Sequence, residues 1–185
     1  MGHSIEQAVG IVCGIVGLSL IGLVSVLFLP GYTSGIGPLA VTGASGIVFV
    51  GVGVRNFDEQ RRRIGAAVAA IGSAGTAVAA VYILVAAGES TANLLAVGAA
   101  GVAVLSLSLS ALTSWDLCRY EPRFVELGGI SATTASVILA DLPPDTDEPF
   151  RTLFFAFGCL MAVYGVLILV AAFLVTNDDT RISAS

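Results

Sequence analysis

Residues 64–114 have the sequence IGAAVAAIGSAGTAVAAVYILVAA-GEST-ANLLAVGAAGVAVLSLSLSALTS, in which two uncharged runs flank a short polar turn. A helix of about 20 apolar residues crosses the roughly 30 Å hydrocarbon core of a bilayer. The runs at residues 64–87 and 92–114 both reach that length, and only residues 88–91 separate them. This stretch therefore predicts a hairpin of two transmembrane helices.

Other parts of the chain have the same character. Residues 8–29 and 152–177 carry no charge, and residues 38–54 form a shorter uncharged run at the lower limit for a span. The chain is 56% hydrophobic and 11% charged, whereas soluble domains carry about 25% charged residues. This composition predicts an all-α integral membrane protein, a polytopic helical bundle that forms a single transmembrane domain over residues 1–185.

The distribution of arginine predicts the orientation. Arg55 and residues 61–63 lie between the second and third runs, and short Arg-rich loops stay in the cytoplasm. We therefore expect both termini in the cytoplasm of a plasma-membrane protein. Its first helix should be retained rather than cleaved as a signal peptide, because no Lys or Arg precedes it. The predicted cytoplasmic loops are residues 55–63 and 115–124, and the predicted outer loops are residues 30–37, 88–91 and 143–151.

The segment at residues 125–142 leaves the number of spans open. Its uncharged run covers only residues 127–140, between Glu126 and Asp141. By length alone it could be a re-entrant or interfacial segment, which would leave five transmembrane helices. It also contains several hydroxyl residues, so we expect neighbouring helices to shield it from lipid. These are Ser131, Thr133, Thr134 and Ser136.

An internal repeat favours six spans over five. An Asp-x-x-Arg motif follows the second, fourth and last runs, at residues 58–61, 116–119 and 178–181. The offset between the first two motifs also aligns residues 73–77 with residues 131–135. Three copies of one helical hairpin explain these matches. The predicted fold is therefore six transmembrane helices as three repeated hairpins, at residues 8–54, 64–114 and 125–176.

The Asp-x-x-Arg motif has two interpretations. Residues three apart are neighbours on a helix and can form an ion pair, and an Arg at a helix end can reach lipid phosphate. The motif would then be an anchor that fixes helix depth at the cytoplasmic interface. The alternative is a cytoplasmic docking or gating site. Its candidate residues are Asp58, Arg61, Asp116, Arg119, Asp178 and Arg181.

The sequence lacks the residue patterns that catalytic, metal-binding and nucleotide-binding sites require. His3 is the only histidine, and Cys13, Cys118 and Cys159 form no CxxC pair. No metal-ligand cluster, nucleotide-binding loop or Ser–His pair can be found. We therefore expect no catalytic, cofactor-binding or metal site and no enzyme activity. Because 13 acidic residues outnumber 8 basic ones, a nucleic acid is not expected as a partner either.

Small residues suggest how the helices associate. Gly10 and Gly14 form a GxxxG motif, followed by Gly17. Small residues let helix backbones approach closely in lipid, so these glycines predict packing within the chain or, alternatively, an oligomer interface along the first helix.

The functional hypothesis follows from these absences and packing faces. The sequence favours a non-enzymatic subunit or scaffold that packs against lipid and against a second copy or another membrane protein. The alternative is a permease or channel-like carrier for a small neutral or apolar solute, which needs only hydroxyl and backbone groups. All basic residues are Arg, and acids are in excess. This composition resembles that of proteins from halophilic archaea or other high-GC prokaryotes.

Overall fold

The structure is a computed structural model that describes residues 2–27, 36–57, 61–88, 90–118, 120, 122–140 and 148–182; for residues 2–7, 57, 122 and 175–182 it describes the backbone alone. Within these ranges the chain forms six α-helices and no strand, which confirms the all-α prediction. The helices are α1 (Gly2–Leu27), α2 (Ile36–Phe57), α3 (Arg62–Ala87), α4 (Thr91–Ser114), α5 (Pro122–Ala140) and α6 (Glu148–Ile182).

Five of the six helices, all except α5, are long and apolar enough to cross a membrane. The qualifying segments are Ala8–Leu27, Ile36–Asn56, Arg62–Ala87, Thr91–Ser114 and Glu148–Leu174. A helical bundle of this kind is compatible with a small multi-pass membrane protein.

Helices that follow one another in the chain pack against one another, and α5 occupies the centre. It contacts α2 and α3 in addition to its chain neighbours α4 and α6, whereas α1 packs extensively only against α2. The start of α5 lies beside the end of α2, where Glu126 meets Arg55. The last residues of α5 lie at the other end of the bundle, where Leu139 and Ala140 cluster with Val41 near the start of α2. Thus α5 runs from one end of the bundle to the other.

Three of the four hydroxyl residues of α5 are buried, as the sequence predicted, and Thr134 is half-buried. Ser131, Thr133 and Ser136 are buried. Thr133 donates to the Gly129 carbonyl at 2.8 Å, and Thr134 donates to the preceding turn in the same way. A hydroxyl bonded to its own helix needs no outside partner, so the hydroxyls of Thr133 and Thr134 are satisfied within α5.

Glycines set the distance between α1 and α2. A Cβ atom at Gly17 would lie 2.6 Å from the Gly46 carbonyl oxygen, and one at Gly53 would lie 2.9 Å from the Gly10 carbonyl oxygen. Side chains at these positions would push the helices apart. The first-helix glycines Gly10 and Gly17 therefore pack within the chain, as predicted, and they do not form an exposed oligomer face.

Several helix boundaries differ from the sequence prediction by a few residues, and three of them involve a charged residue or a proline. Helix α2 continues to Phe57 and so includes Arg55, which was assigned to a loop. Helix α5 begins at Pro122, because proline suits the first helical position, where its missing N–H removes no helical hydrogen bond. Helix α6 begins at Glu148, inside the predicted outer loop, because an acidic residue stabilises the positive end of a helix dipole.

Candidate functional site

A buried ion pair joins the end of α2 to the start of α5. Arg55 is 7% exposed and Glu126 is 8% exposed. The Arg55 Nη1 atom lies 2.9 Å from the Glu126 Oε2 atom. Two opposite charges inside the bundle therefore face each other directly.

Side chains from α2 and α4 complete the cluster. The Asn56 Nδ2 atom donates to Glu126 Oε1 at 2.8 Å and to the Val52 carbonyl at 3.1 Å. Arg55 Nη1 also donates to the Ser110 hydroxyl. Each carboxylate oxygen of Glu126 thus has a donor, and three helices are bound together at one point. We call Arg55, Asn56, Ser110 and Glu126 the buried charge cluster.

The dipole of α2 also favours the position of Arg55. Arg55 lies in the last turn of α2, where the backbone carbonyls carry partial negative charge. Burying a lone ion is costly, but here each ion has an opposite charge and hydrogen-bond partners, and Arg55 also lies at a favourable helix end. The cluster is therefore suited to fixing α2, α4 and α5 in one arrangement.

A second, exposed ion pair lies at the same end of the bundle. Arg63 Nη2 is 3.5 Å from Asp116 Oδ2, and Arg63 Nε donates to the Ser114 carbonyl at 3.2 Å. The Arg63 and Asp116 side chains are 65% and 89% exposed. Water and salt screen such a pair, so it contributes little to stability.

The end of α4 has a glycine-type cap in which aspartate occupies the glycine position. Asp116 has a φ of 58°, and its N–H donates to the Thr113 carbonyl at 3.1 Å. The Leu117 N–H reaches back to the Leu112 carbonyl at 3.0 Å. These two bonds form a Schellman motif, whose left-handed position usually holds Gly. The cap turns the chain sharply and holds Asp116 beside Arg63.

Only two of the six predicted site residues have described side chains. Arg61 and Asp116 are both exposed. Asp58 and Arg119 lie outside the described residues, and for Asp178 and Arg181 the structure describes only the helical backbone of α6. The Asp116 carboxylate meets Arg63, which lies in the first turn of α3 rather than in the Asp116 motif. Ion pairing within each Asp-x-x-Arg motif, and the docking site itself, stay predictions.

Sequence analysis missed the buried charge cluster. Arg55 was assigned to a cytoplasmic loop, and Glu126 was treated only as the border of an uncharged run. One signal was available: an arginine and a glutamate each adjoin an apolar run at the helix ends predicted to share the cytoplasmic face. Charges that border spans at the same depth can pair across helices.

The described residues contain no group of three or more His, Cys, Asp or Glu that could hold a metal ion. Cys13, Cys118 and Cys159 are free thiols. A comparison of the chain with protein-family models, curated proteins and solved structures finds no match.

Proposed function

We propose that this chain is a non-enzymatic subunit or scaffold of a plasma membrane, with six transmembrane helices in three hairpins and both termini in the cytoplasm. The observation that carries the proposal is the uncovered outer surface of α1 and α6. In the apolar segment of each of these two helices only 11% of the residues are buried, against 39% to 50% in α2, α3 and α4. The charged side chains of the buried charge cluster, by contrast, are already used to hold the bundle together.

The course of α5 supports six spans. This helix extends between the two ends of the bundle, although its own composition is too polar to pass as a free-standing span. A re-entrant segment would return to the face from which it entered. In the proposed topology the buried charge cluster lies at the cytoplasmic end.

A row of leucines on α6 supports a helical partner. Leu153, Leu160, Leu167 and Leu174 recur every seven residues, and each is between 60% and 64% exposed. A seven-residue repeat keeps one face of a helix in register with a second helix at a small crossing angle. Helix pairs in membranes commonly adopt that geometry. We therefore assign the leucine row as the face that packs against a partner, with a second copy of the chain as the first candidate.

Disulfide cross-linking in native membranes tests this assignment. In a background without native cysteines, we expect Leu160→Cys to give a covalent dimer on mild oxidation. Val166→Cys, an exposed position of α6 outside the leucine row, is the matched control and should stay monomeric. Equal cross-linking at both positions would mean random collision, and a monomer at every position of the row would exclude pairing through α6.

A cavity at the opposite end of the bundle favours the second candidate, a carrier for a small neutral solute. The cavity has a volume of about 400 Å³ and is lined mostly by polar residues where α4 and α6 begin. Deeper in the bundle, the buried hydroxyls of Ser106 and Ser136 have no hydrogen-bond partner among the described residues. Hydroxyl groups of this kind could accept a polar solute.

Solute entry distinguishes the two candidates. Liposomes that contain the purified chain are mixed with glycerol or urea, and their swelling is followed by light scattering. Swelling at the rate of protein-free liposomes agrees with the scaffold. Faster swelling that Ser136→Val abolishes would instead support the carrier.

A further inference from the structure

An open apolar groove of about 320 Å³ runs along the outside of α1 and α2. Its lining is apolar except for one guanidinium group at its end, that of Arg61. The lining residues are Gly10, Ile11, Gly14, Ile15 and Leu18 of α1, Val50, Gly53 and Val54 of α2, and Arg61.

Glycines form the floor of the groove for two different reasons. Gly10 and Gly53 are required where the two backbones touch, because a Cβ atom at Gly53 would lie 2.9 Å from Gly10. At Gly14, by contrast, an added Cβ atom would meet no atom within 4 Å. Packing between the helices therefore does not require glycine at Gly14. Its missing side chain instead leaves the groove open.

The dimensions of the groove suit a hydrocarbon chain. From Gly10 to Leu18 the helix rises about 12 Å, close to the depth of one monolayer of a 30 Å hydrocarbon core. Ile11, Ile15 and Leu18 form an exposed wall along this length. An acyl chain lying in the groove would contact methyl and methylene groups on both sides.

The charge at the end of the groove selects the head group. Arg61 lines the groove where α1 begins and α2 ends, next to Arg62 and Arg63 in the chain. In the topology proposed above, this end faces the cytoplasmic head groups. A guanidinium group binds a phosphate through paired N–H donors.

We propose that this groove is a binding site for one anionic phospholipid, with an acyl chain between α1 and α2 and the phosphate at Arg61. The inference rests on the membrane insertion proposed above and does not depend on pairing through α6. The expected preference for an anionic over a zwitterionic lipid is about fivefold, the factor that corresponds to roughly 1 kcal/mol for one Arg near anionic lipid.

Native mass spectrometry of the whole chain in mild detergent tests the site. The protein is mixed with equal amounts of dioleoylphosphatidylglycerol and dioleoylphosphatidylcholine, which share their acyl chains, and the retained lipid is counted. Arg61→Gln should bring the ratio of the two lipids close to one. Gly14→Leu, which fills the groove, should reduce retention of both lipids.

Matched variants make the result specific. Gly22 of α1 is exposed and, like Gly14, has open space around an added Cβ atom, but it does not line the groove; Gly22→Leu should behave as the parent. Arg63→Gln removes the same charge at the same end and should keep the preference. Equal loss with Arg61→Gln and Arg63→Gln would show diffuse attraction and overturn the site, as would unchanged retention in Gly14→Leu. If Gly14→Leu fails to fold, Gly14→Ala and Arg61→Gln carry the test.

Discussion

Replacing Arg55 alone should destabilise the bundle far more than replacing Arg55 and Glu126 together. In Arg55→Met the carboxylate of Glu126 keeps the Asn56 amide but loses its only positive partner in the buried charge cluster. In Glu126→Leu the guanidinium of Arg55 keeps the Ser110 hydroxyl but loses its counter-charge. Each single variant therefore removes the counter-charge that one buried ion has within the cluster, whereas the double variant removes both ions.

The size of the effect follows from burial. Breaking a buried ion pair by removing one member costs about 3–5 kcal/mol, and replacing both members by apolar residues is often neutral or stabilising. Arg55 and Glu126 lie near helix ends, where a long side chain can turn toward water, so we expect the lower value, about 3 kcal/mol for each single variant. With a double variant near zero, the coupling energy is the sum of the two single effects, about 6 kcal/mol.

The assay is the free energy of unfolding, measured by titrating the purified chain from mild detergent into dodecyl sulfate and following helical circular dichroism. The exposed pair gives an internal control. Arg63→Gln and Asp116→Asn, alone or together, should each change this free energy by less than about 1 kcal/mol. Single variants of Arg55 and Glu126 that cost no more than this control, or that add without coupling, would refute the structural role of the buried charge cluster.

Three further predictions use the same or simpler measurements. Asp116→Gly should raise the free energy of unfolding by about 1 kcal/mol, because Gly adopts the left-handed conformation without strain, and a loss of stability would contradict the cap. Gly51→Ala should destabilise by about 1–3 kcal/mol, because an added methyl group would collide with the α3 backbone; Gly22→Ala, with open space, is the neutral control. Cysteine introduced at Asp145 should react with an impermeant reagent in intact cells, whereas cysteine at Ser185 should not; the reverse pattern would contradict six spans with both termini in the cytoplasm.

Much of the helix layout could be predicted because charge is scarce and clustered. The turn between α3 and α4 shows this well. Gly88, with a φ of 89°, ends α3, and Ser90 accepts from the Asn93 N–H at 3.1 Å to begin α4. Gly and Ser are the residue types expected at such ends. Because they lie only two residues apart, the sequence alone reveals the turn between the two helices.

The buried charge cluster could not be predicted in the same way, because its members are distant in the chain. The rule that places arginine in cytoplasmic loops treats Arg55 as a marker of topology and ignores possible acidic partners. Only the packing of α2 against α5 brings Glu126 within reach. Glycine spacing has the same limit. It predicts that two helix backbones approach closely, but it does not predict that Gly53 packs against Gly10.

The central helix α5 shows why hydropathy left the span count open. Its neighbours in the bundle supply the apolar contacts of Leu139, so this part of α5 packs against protein. A count of apolar residues measures the affinity of a segment for lipid and therefore underestimates a helix that other helices enclose.

The position of α5 in the chain bears on how the protein is made. A ribosome releases the chain from its amino terminus, so α2 and α4 emerge before the helix that needs them. Segments that carry charge partition poorly from the translocon into lipid on their own. In the proposed topology, Arg55 and Ser110 are already in the membrane when Glu126 is synthesised. Glu126 can then pair with Arg55 instead of facing lipid. In that topology, the order of the helices along the chain is also the order of assembly. Helix α5 inserts beside helices that were synthesised earlier, and α6 packs against it last.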